Sequence, residues 1–267
     1  MDLNRVNDGG LVLLGCGKMG SALLEGWLAN GVRADSVHVI EPHPSDWLKA
    51  TGVHLNAPLP PSPVVAVLAV KPQMMGAALP SLKALAGGRT VFLSIAAGTS
   101  LASIESALGA GTAVVRAMPN TPAAVGRGIT ALIGNTAVDA GGLALATDLM
   151  AAVGDTVHLD SEDQMDAVTG VSGSGPAYVF HMIEALTEAG VAQGLPEALA
   201  QKLARATVTG AGELARQSSE SAAQLRINVT SPGGTTAAAL AVLMPQLPDL
   251  MTKAVTAATD RSRELGK

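Results

Sequence analysis

Two glycine-rich stretches of the chain could bind a charged ligand through their backbone amides. The first has the spacing G-x-G-x-x-G and consists of Gly15, Cys16, Gly17, Lys18, Met19 and Gly20. In such a loop the first glycine allows a tight turn, the second lets a pyrophosphate approach the bare backbone, and the third lets the next helix pack closely on the strand. We interpret the loop as the phosphate site of a dinucleotide at the positive end of that helix, rather than as a plain connection between strand and helix.

The second stretch consists of Ser231, Pro232, Gly233, Gly234, Thr235 and Thr236. A proline suits the first turn of a helix, whereas two glycines there weaken the helix and leave their amides without side-chain cover. Such a helix start could hold a carboxylate, with the threonine hydroxyls as further donors. An ordinary capped helix start explains the same residues, but the cost of the two glycines favours a ligand site.

The rest of the composition points to a small-molecule substrate. None of the five histidines stands out as a catalyst, and no cluster of Cys, His and Asp has the spacing of metal ligands, so we predict no metal. The single cysteine permits no internal disulfide, which fits a reducing cytoplasm. A net charge of −5 and 2% aromatic residues argue against nucleic acid and anionic membranes as partners. No uninterrupted apolar run is long enough to span a bilayer, so we expect a cytoplasmic protein.

Apolar runs predict the strands that would position the first loop. We place strands at 11–14, 36–41, 64–70, 91–95, 113–118, 128–133 and 156–159, and helices near 21–29, 76–86, 100–108 and 140–152. Strands that alternate with helices predict an α/β fold with a Rossmann-like, doubly wound parallel sheet. Ligands of such sheets bind at the carboxyl ends of the strands. The sequence has conspicuous residues at these ends, among them Lys71-Pro72, Ala96-Ala97-Gly98 and Asn120-Thr121.

Glu41 ends the second predicted strand. An acidic residue at this point ordinarily accepts hydrogen bonds from the adenosine ribose of NAD, and an arginine nearby would bind the extra phosphate of NADP. No arginine follows Glu41 closely, and His43 and Lys49 are the nearest basic residues. Because surface carboxylates after strands are common, a ribose contact and a purely structural role both remain open.

The character of the sequence changes in its second half. We predict a dinucleotide-binding domain over 1–160 and an all-α dimerisation domain over 161–267. Its predicted helices cover 162–172, 175–193, 196–217, 232–244 and 248–264. The helix that starts at Pro176 is apolar on almost every face, so it must be buried all round. A domain of about a hundred residues could hardly enclose such a helix, and we therefore expect a homodimer of interlocked helices.

Four motifs resemble those of the pyrroline-5-carboxylate reductases. They are Ala-Val-Lys-Pro at 69–72, Met-Pro-Asn-Thr-Pro at 118–122, Gly-Val-Ser-Gly-Ser-Gly-Pro-Ala-Tyr at 170–178 and Ser-Pro-Gly-Gly-Thr-Thr at 231–236. The resemblance runs from about Leu11 to Leu265. It implies reduction of Δ1-pyrroline-5-carboxylate to L-proline with NADPH or NADH, the last step of proline biosynthesis. It also implies a Rossmann domain joined to a helical dimerisation domain, with dimers that often assemble further.

The resemblance implies the site residues as well. The loop 15–20 would bind the pyrophosphate, and the nicotinamide half would lie along Ala69, Val70, Lys71, Pro72, Ala96, Ala97, Gly98 and Asn120. The substrate carboxylate would bind Ser231, Gly233, Gly234, Thr235 and Thr236. Thr236 would hydrogen-bond the ring nitrogen as the catalytic residue, and Asn228 matches a family position near the substrate. Glu41 departs from the pattern of relatives that use NADPH, so the choice between NADH and NADPH stays open.

Two other interpretations fit part of the sequence. A β-hydroxyacid dehydrogenase also joins a Rossmann domain to a helical one, and Gly170, Gly173 and Gly175 have the glycine spacing of that family. Its lysine and asparagine positions hold Val179 and Ile183 in this chain, so the chemical groups are absent. A nucleotide-sensing dimer without catalysis would share the glycine features, but it does not explain the second glycine-rich stretch.

Overall fold

The computed structural model describes residues 3–266, and within them the central element is an eight-stranded sheet. The strands are β1 (Leu11–Leu14), β2 (Val37–Ile40), β3 (His54–Leu55), β4 (Val65–Leu68), β5 (Val91–Ser94), β6 (Val114–Met118), β7 (Gly128–Gly134) and β8 (Gly154–His158). They lie in the order β3-β2-β1-β4-β5-β6-β7-β8. The first six are parallel to one another, which confirms the predicted Rossmann-like sheet.

The last two strands run opposite to the first six, so the predicted parallel sheet is parallel over its first six strands only. β7 pairs antiparallel with β6, and β8 pairs parallel with β7. The connection from β6 to β7 contains only the 3-10 helix Thr121–Val125 and its flanking residues. A parallel crossover needs about a dozen residues or more, so this short connection can only return antiparallel.

Helices cover both faces of the sheet and form the second half of the chain. The α-helices are α1 (Asn4–Gly9), α2 (Lys18–Ala29), α3 (Asp46–Ala50), α4 (Met75–Ala78), α5 (Leu101–Leu108), α6 (Ala140–Ala151), α7 (Met165–Val168), α8 (Gly175–Ala192), α9 (Glu197–Gln217), α10 (Ala222–Asn228) and α11 (Thr235–Leu265). Further 3-10 helices lie at Ala34–Ser36, Pro72–Met74, Leu79–Leu85 and Glu162–Gln164, and a π-helical turn covers Thr169–Gly173. Within residues 3–266 no helix combines the length and apolar character needed to cross a membrane.

One long helix replaces the two that the sequence predicted at the C-terminal end. α11 has 31 residues and continues through Pro245 and Pro248, where we predicted a break. The fixed φ of proline is compatible with a helix, and its cost is a missing hydrogen bond and a local clash. The alanines and leucines on either side favour the helix. The short helices α1 and α10 were also not predicted.

Alternate residues of β1 pack into two separate apolar clusters, one on each face of the sheet. Leu11 and Leu13 belong to a cluster with Trp27 of α2, whereas Val12 belongs to a cluster with Ile104 of α5. The indole nitrogen of Trp27 donates to the carbonyl oxygen of Leu149 at 2.8 Å, which ties α2 to α6. Burial on both faces explains why the strand is a continuous apolar run.

The chain divides into two compact units. One comprises residues 3–173 together with 258–266, and the other comprises Ser174–Ala257. The first unit contains the sheet, and the second contains α8, α9, α10 and most of α11. The predicted boundary after residue 160 lies before the division at 173–174. The short helical turns at 162–173 belong to the first unit, to which they contribute the fully buried Met165.

The second unit leaves the apolar helix α8 largely open. α8 packs on α9, where a Cβ added at Gly190 would lie 3.1 Å from the Cβ of Ala200. All of α8 is described, and none of its residues is buried. Phe180 is 61% exposed and Leu186 is 44% exposed. The single chain therefore does not bury α8 all round, and the predicted burial would require a partner.

His38 is expected to weaken the fold at acid pH. Its ring stacks on that of His54 with the centroids 4.4 Å apart, and its buried Nδ1 has no hydrogen-bond partner in the described chain. Burial, and then the charge of His54, lowers the pKa of His38. The imidazole therefore binds a proton more readily in the unfolded chain than in the folded one. The contribution of neutral His38 to the free energy of unfolding is complete above about pH 6.5, and it is lost as the pH falls through the folded-state pKa.

The measurement is the thermal unfolding midpoint at about pH 7.5 and about pH 5.5. We expect the midpoint to fall less in His38→Thr than in the wild type between these two conditions. A substitution of the exposed His43 by threonine serves as the control and should follow the wild type. An equal fall in all three proteins would contradict the assignment to His38.

Candidate active site

The glycine loop between β1 and α2 has the geometry predicted for its first and third glycines. Gly15 has a φ of +91°, and a Cβ there would lie 3.0 Å from the carbonyl oxygen of Ala69. A Cβ at Gly20 would lie 2.6 Å from the carbonyl oxygen of Gly15. Gly15 therefore permits the turn, and Gly20 permits the close packing of α2 on the loop.

Gly17 differs from these two because the fold itself does not require a glycine there. Its φ of −72° suits any residue, and no described atom lies within 4 Å of the position that a Cβ would take. The side chains of Ser45, Ser100 and Asp139 cap the starts of α3, α5 and α6. In the described chain no side chain caps the 12-residue α2 in this way. Its first-turn amides are thus left for a bound anion, which fits a phosphate group.

The other loop residues fit a phosphate site without taking part in chemistry. Lys18 begins α2 and is exposed, and Met19 is half-buried. Burial raises the pKa of the Cys16 thiol, and an interaction with Ser21 opposes this effect only in part. A thiol whose pKa is raised stays protonated, so Cys16 fills the turn rather than acting as a nucleophile.

The sheet brings together predicted cofactor residues that are distant in sequence. The loops after β2, β1, β4 and β5 are neighbours at the carboxyl ends of parallel strands. They carry Glu41, the loop 15–20, the stretch 69–72 and the stretch 96–98 in that order. Ala97 is exposed, as is Lys71. The loops thus form one edge of the sheet, which is where ligands of this fold bind.

Asn120, after β6, is engaged within the protein. The residue is 9% exposed. Its Oδ1 accepts a hydrogen bond from the amide of Ile129 at 3.0 Å, and its Nδ2 donates to the carbonyl oxygen of Ser172 at 3.2 Å. These bonds join the end of β6 to β7 and to the π-helical turn. One amide hydrogen remains, so a contact with the cofactor stays a prediction.

Glu41 is held by several hydrogen bonds that sequence reasoning missed. Its Oε2 accepts from the amide of Cys16 at 2.8 Å, and its Oε1 accepts from the amide of His43 at 2.9 Å. Its backbone amide donates to Oδ1 of Asn56, and its carbonyl accepts from Nδ2 of Asn56, both at 2.9 Å. Asn56 has a φ of +51°, a conformation that asparagine tolerates better than most residues. The asparagine at position 56 was the sequence signal that could have indicated a turn there.

A partly buried ion pair supports the loop after β5, and it too was missed. Arg116 of β6 is 7% exposed and donates through Nη1 to Oε1 of Glu162 at 2.7 Å. The same oxygen accepts from the amide of Leu101 at 2.9 Å, so Glu162 fixes the start of α5. The end of α11 packs against the same loop, since a Cβ at Gly98 would lie 3.3 Å from the carbonyl oxygen of Leu265. The loop 96–100 is therefore held from two sides.

The second glycine-rich stretch forms an exposed turn that opens α11 in the second unit. Gly233 has a φ of +70°, and among the described residues no atom lies within 4 Å of its Cβ position. The amide of Gly234 donates to the carbonyl oxygen of Ser231 at 3.0 Å, and the carbonyl of Gly234 accepts from Ala238. Because helical bonding begins at Gly234, the amides of residues 235–237 lack an acceptor inside the helix. The turn can present these amides to an anion.

Asn228 and Thr236 lie at the two ends of this turn. Asn228 ends α10, and its Oδ1 accepts from Nε2 of Gln224 at 2.8 Å. Its Nδ2 donates to Oε2 of Glu220 at 2.9 Å, so the exposed amide is oriented and keeps one hydrogen for another acceptor. Thr236 is half-buried and Thr235 is exposed. Both of the predicted substrate positions, 228 and 231–236, therefore belong to one short segment.

The sheet and the glycine loop together define a class of protein. The parallel sheet, the glycine loop and the open start of α2 are those of a dinucleotide-binding domain of the Rossmann type. Among residues 3–266, no group of three or more His, Cys, Asp and Glu side chains could hold a metal ion. Residues 11–98 match the family described as NADP oxidoreductase, coenzyme F420-dependent, and residues 162–265 match that described as pyrroline-5-carboxylate reductase dimerisation.

Similarity over the whole length defines the family. A pyrroline-5-carboxylate reductase of Synechocystis is 46% identical over 267 residues, which covers 96% of this chain and 98% of that relative. The chain belongs to the pyrroline-5-carboxylate reductase family. The solved structure of such a reductase from Coxiella burnetii has a TM-score of 0.90 and 38% identity, covering 98% of this chain and 100% of that one. The structure of the Plasmodium falciparum pyrroline carboxylate reductase with NADP bound has a TM-score of 0.83 and 30% identity, with coverage of 98% and 99%.

Proposed function

We propose that this chain reduces the cyclic imine of Δ1-pyrroline-5-carboxylate to L-proline, the last step of proline biosynthesis. The observation that carries the proposal is the turn at 231–236. It leaves helix amides and threonine hydroxyls uncovered, in a chain whose glycine loop fits a dinucleotide. A small acid with a carboxylate is the ligand that such a turn suits.

The cofactor site is proposed at the carboxyl edge of the parallel strands. The loop residues 15–20 would hold the pyrophosphate, and Glu41 would accept hydrogen bonds from the adenosine ribose. The nicotinamide half would lie along Ala69, Val70, Lys71, Pro72, Ala96, Ala97, Gly98 and Asn120. NADH or NADPH, when bound, supplies the hydride. Glu162 and the end of α11 hold the loop 96–100, which contains part of this proposed nicotinamide site.

The substrate site is proposed at the start of α11. The carboxylate would bind the amides and hydroxyls of Ser231, Gly233, Gly234, Thr235 and Thr236, with Asn228 close to the substrate. The Thr236 hydroxyl would hydrogen-bond the ring nitrogen and hold the ring in one orientation. Orientation matters because a hydride donor and acceptor react when they are held about 3–3.5 Å apart.

An imine explains why the site offers donors rather than a strong acid. A ketone that receives hydride develops an alkoxide and needs a proton donor such as lysine. A protonated imine already carries its positive charge and becomes a neutral amine. Val179 and Ile183 stand at the positions where a β-hydroxyacid dehydrogenase has lysine and asparagine, which favours the imine.

A homodimer is proposed as the working form, and dimers could assemble further. α8 exposes Phe180, Met182 and Leu186 in the single chain, and water-exposed apolar faces of this extent mark protein contacts. We expect sedimentation at micromolar concentration to give at least the mass of a dimer. A folded monomer under these conditions would contradict this part of the proposal. The helical dimerisation domain is proposed to span 161–267. The single cysteine and the metabolic role favour a location in the cytoplasm.

The direct test of the function is the oxidation of NADH or NADPH on addition of pyrroline-5-carboxylate to the folded protein. The loss of nicotinamide absorbance should match the proline formed. Turnover should depend on the carboxylate, so 1-pyrroline, which has the same imine ring without the carboxylate, serves as a control that reacts far more slowly. Absence of turnover with both nucleotides would favour a nucleotide sensor instead.

A further inference from the structure

We propose that this chain selects NADH over NADPH, and that the carboxylate of Glu41 is the group that rejects NADPH. The inference rests on the cofactor site of the proposed function. NADPH differs from NADH by one phosphate on the adenosine ribose, and in this fold that ribose lies beside the end of β2. Glu41 directly follows β2.

The carboxylate of Glu41 is fixed in place. Its two oxygens accept hydrogen bonds from the amides of Cys16 and His43, at 2.8 and 2.9 Å. The backbone on which it stands is fixed by two bonds to the side chain of Asn56. His43 itself lies between two prolines, Pro42 and Pro44, which restrict the backbone on either side of it. To admit a second anion the side chain would have to give up both of these hydrogen bonds.

The charges at this position favour a ribose and disfavour a phosphate. Each carboxylate oxygen has a lone pair left for a ribose hydroxyl, which donates a hydrogen bond to it. A 2′-phosphate would instead bring a charge of about −1.5 to −2 against the carboxylate. NADP sites usually bind that phosphate with an arginine. The sequence has no arginine between Arg33 and Arg89, and the ammonium of Lys49 is paired with Asp46 at 2.9 Å.

The first experiment measures the dissociation constants of NAD⁺ and NADP⁺ by calorimetry. We expect the wild-type protein to bind NAD⁺ at least about tenfold more tightly than NADP⁺. Glu41→Gln keeps the size of the side chain and removes its charge, so the preference should shrink about tenfold or more. Glu25→Gln removes the same charge from the exposed face of α2 and should keep the wild-type preference. The ratio of kcat/KM for NADH and NADPH should change in parallel.

A second measurement does not depend on any variant folding. Because salt screens repulsion between exposed charges, the wild-type preference for NAD⁺ should decrease as the salt concentration rises from about 0.05 M to about 0.5 M. Equal or tighter binding of NADP⁺ by the wild type, or an unchanged preference in Glu41→Gln, would overturn the inference. The binding constants test the inference even if neither nucleotide supports turnover. Turnover with a preference for NADPH would support the proposed function and contradict this inference alone.

Discussion

Replacement of Gly17 by valine is expected to weaken nucleotide binding about 100-fold and to leave the thermal unfolding midpoint almost unchanged. Gly17 has an ordinary φ, and no described atom would contact its Cβ. A side chain there costs the fold little, but it occupies the space through which a pyrophosphate would approach the amides of α2. The measurement is the dissociation constant of NAD⁺ or NADP⁺ together with a thermal melt.

Gly20→Ala is the comparison variant and should differ from Gly17→Val by lowering the stability of the fold. Its Cβ would lie 2.6 Å from a backbone oxygen, the carbonyl of Gly15, which cannot move without opening the loop. We expect a loss of about 2 kcal/mol in the free energy of unfolding. If Gly17→Val bound the nucleotide as well as the wild type, the glycine loop would be a structural connection and the cofactor site would lie elsewhere.

Replacement of Thr236 by alanine is expected to lower kcat about 100-fold and to leave the dissociation constant of the nucleotide nearly intact. The hydroxyl is proposed to orient the ring nitrogen, and a lost donor at a reacting centre affects turnover more than cofactor binding. Thr236→Ser keeps the hydroxyl and should recover most of the activity. The measurement is steady-state kinetics with pyrroline-5-carboxylate at saturating nucleotide.

Thr252→Ala is the matched control for this experiment. Thr252 lies on the same helix, and its hydroxyl donates to the carbonyl oxygen of Pro248 at 2.8 Å. This variant should retain wild-type kcat. If Thr236→Ala also retained it, Thr236 would be part of an ordinary helix start, and the catalytic role assigned to its hydroxyl would be wrong.

The strands and the glycine loop could be predicted from the sequence because their signals are local. Four aliphatic residues ahead of Gly15 predict a strand buried on both faces, and the glycine spacing predicts the turn and the helix that follow. The structure confirms the strand at Leu11–Leu14 and the roles of Gly15 and Gly20 in the turn. The stretch 231–236 was likewise singled out from composition, because two glycines at a helix start are locally unfavourable, and its role in binding stays a prediction.

The features that the sequence did not reveal depend on contacts between distant segments. Glu162 fixes the amide of Leu101 and pairs with Arg116, and Asn56 fixes the backbone of Glu41. Glu162 is not marked by periodicity or motif, and the type of Asn56 indicates a turn but not the residue whose backbone it fixes. The direction of β7 was missed because it depends on the length of one connection.

The structure of a crystal grown with proline and NAD⁺ tests the central claim most directly, since the claim is that amides at a glycine-lined helix start bind the substrate acid. We predict that the proline carboxylate will lie on the free amides and hydroxyls of the turn 231–236, with its ring nitrogen within hydrogen-bond distance of the Thr236 hydroxyl. The pyrophosphate should lie on the loop 15–20. Proline bound away from residues 231–236 and away from the nicotinamide would contradict the account.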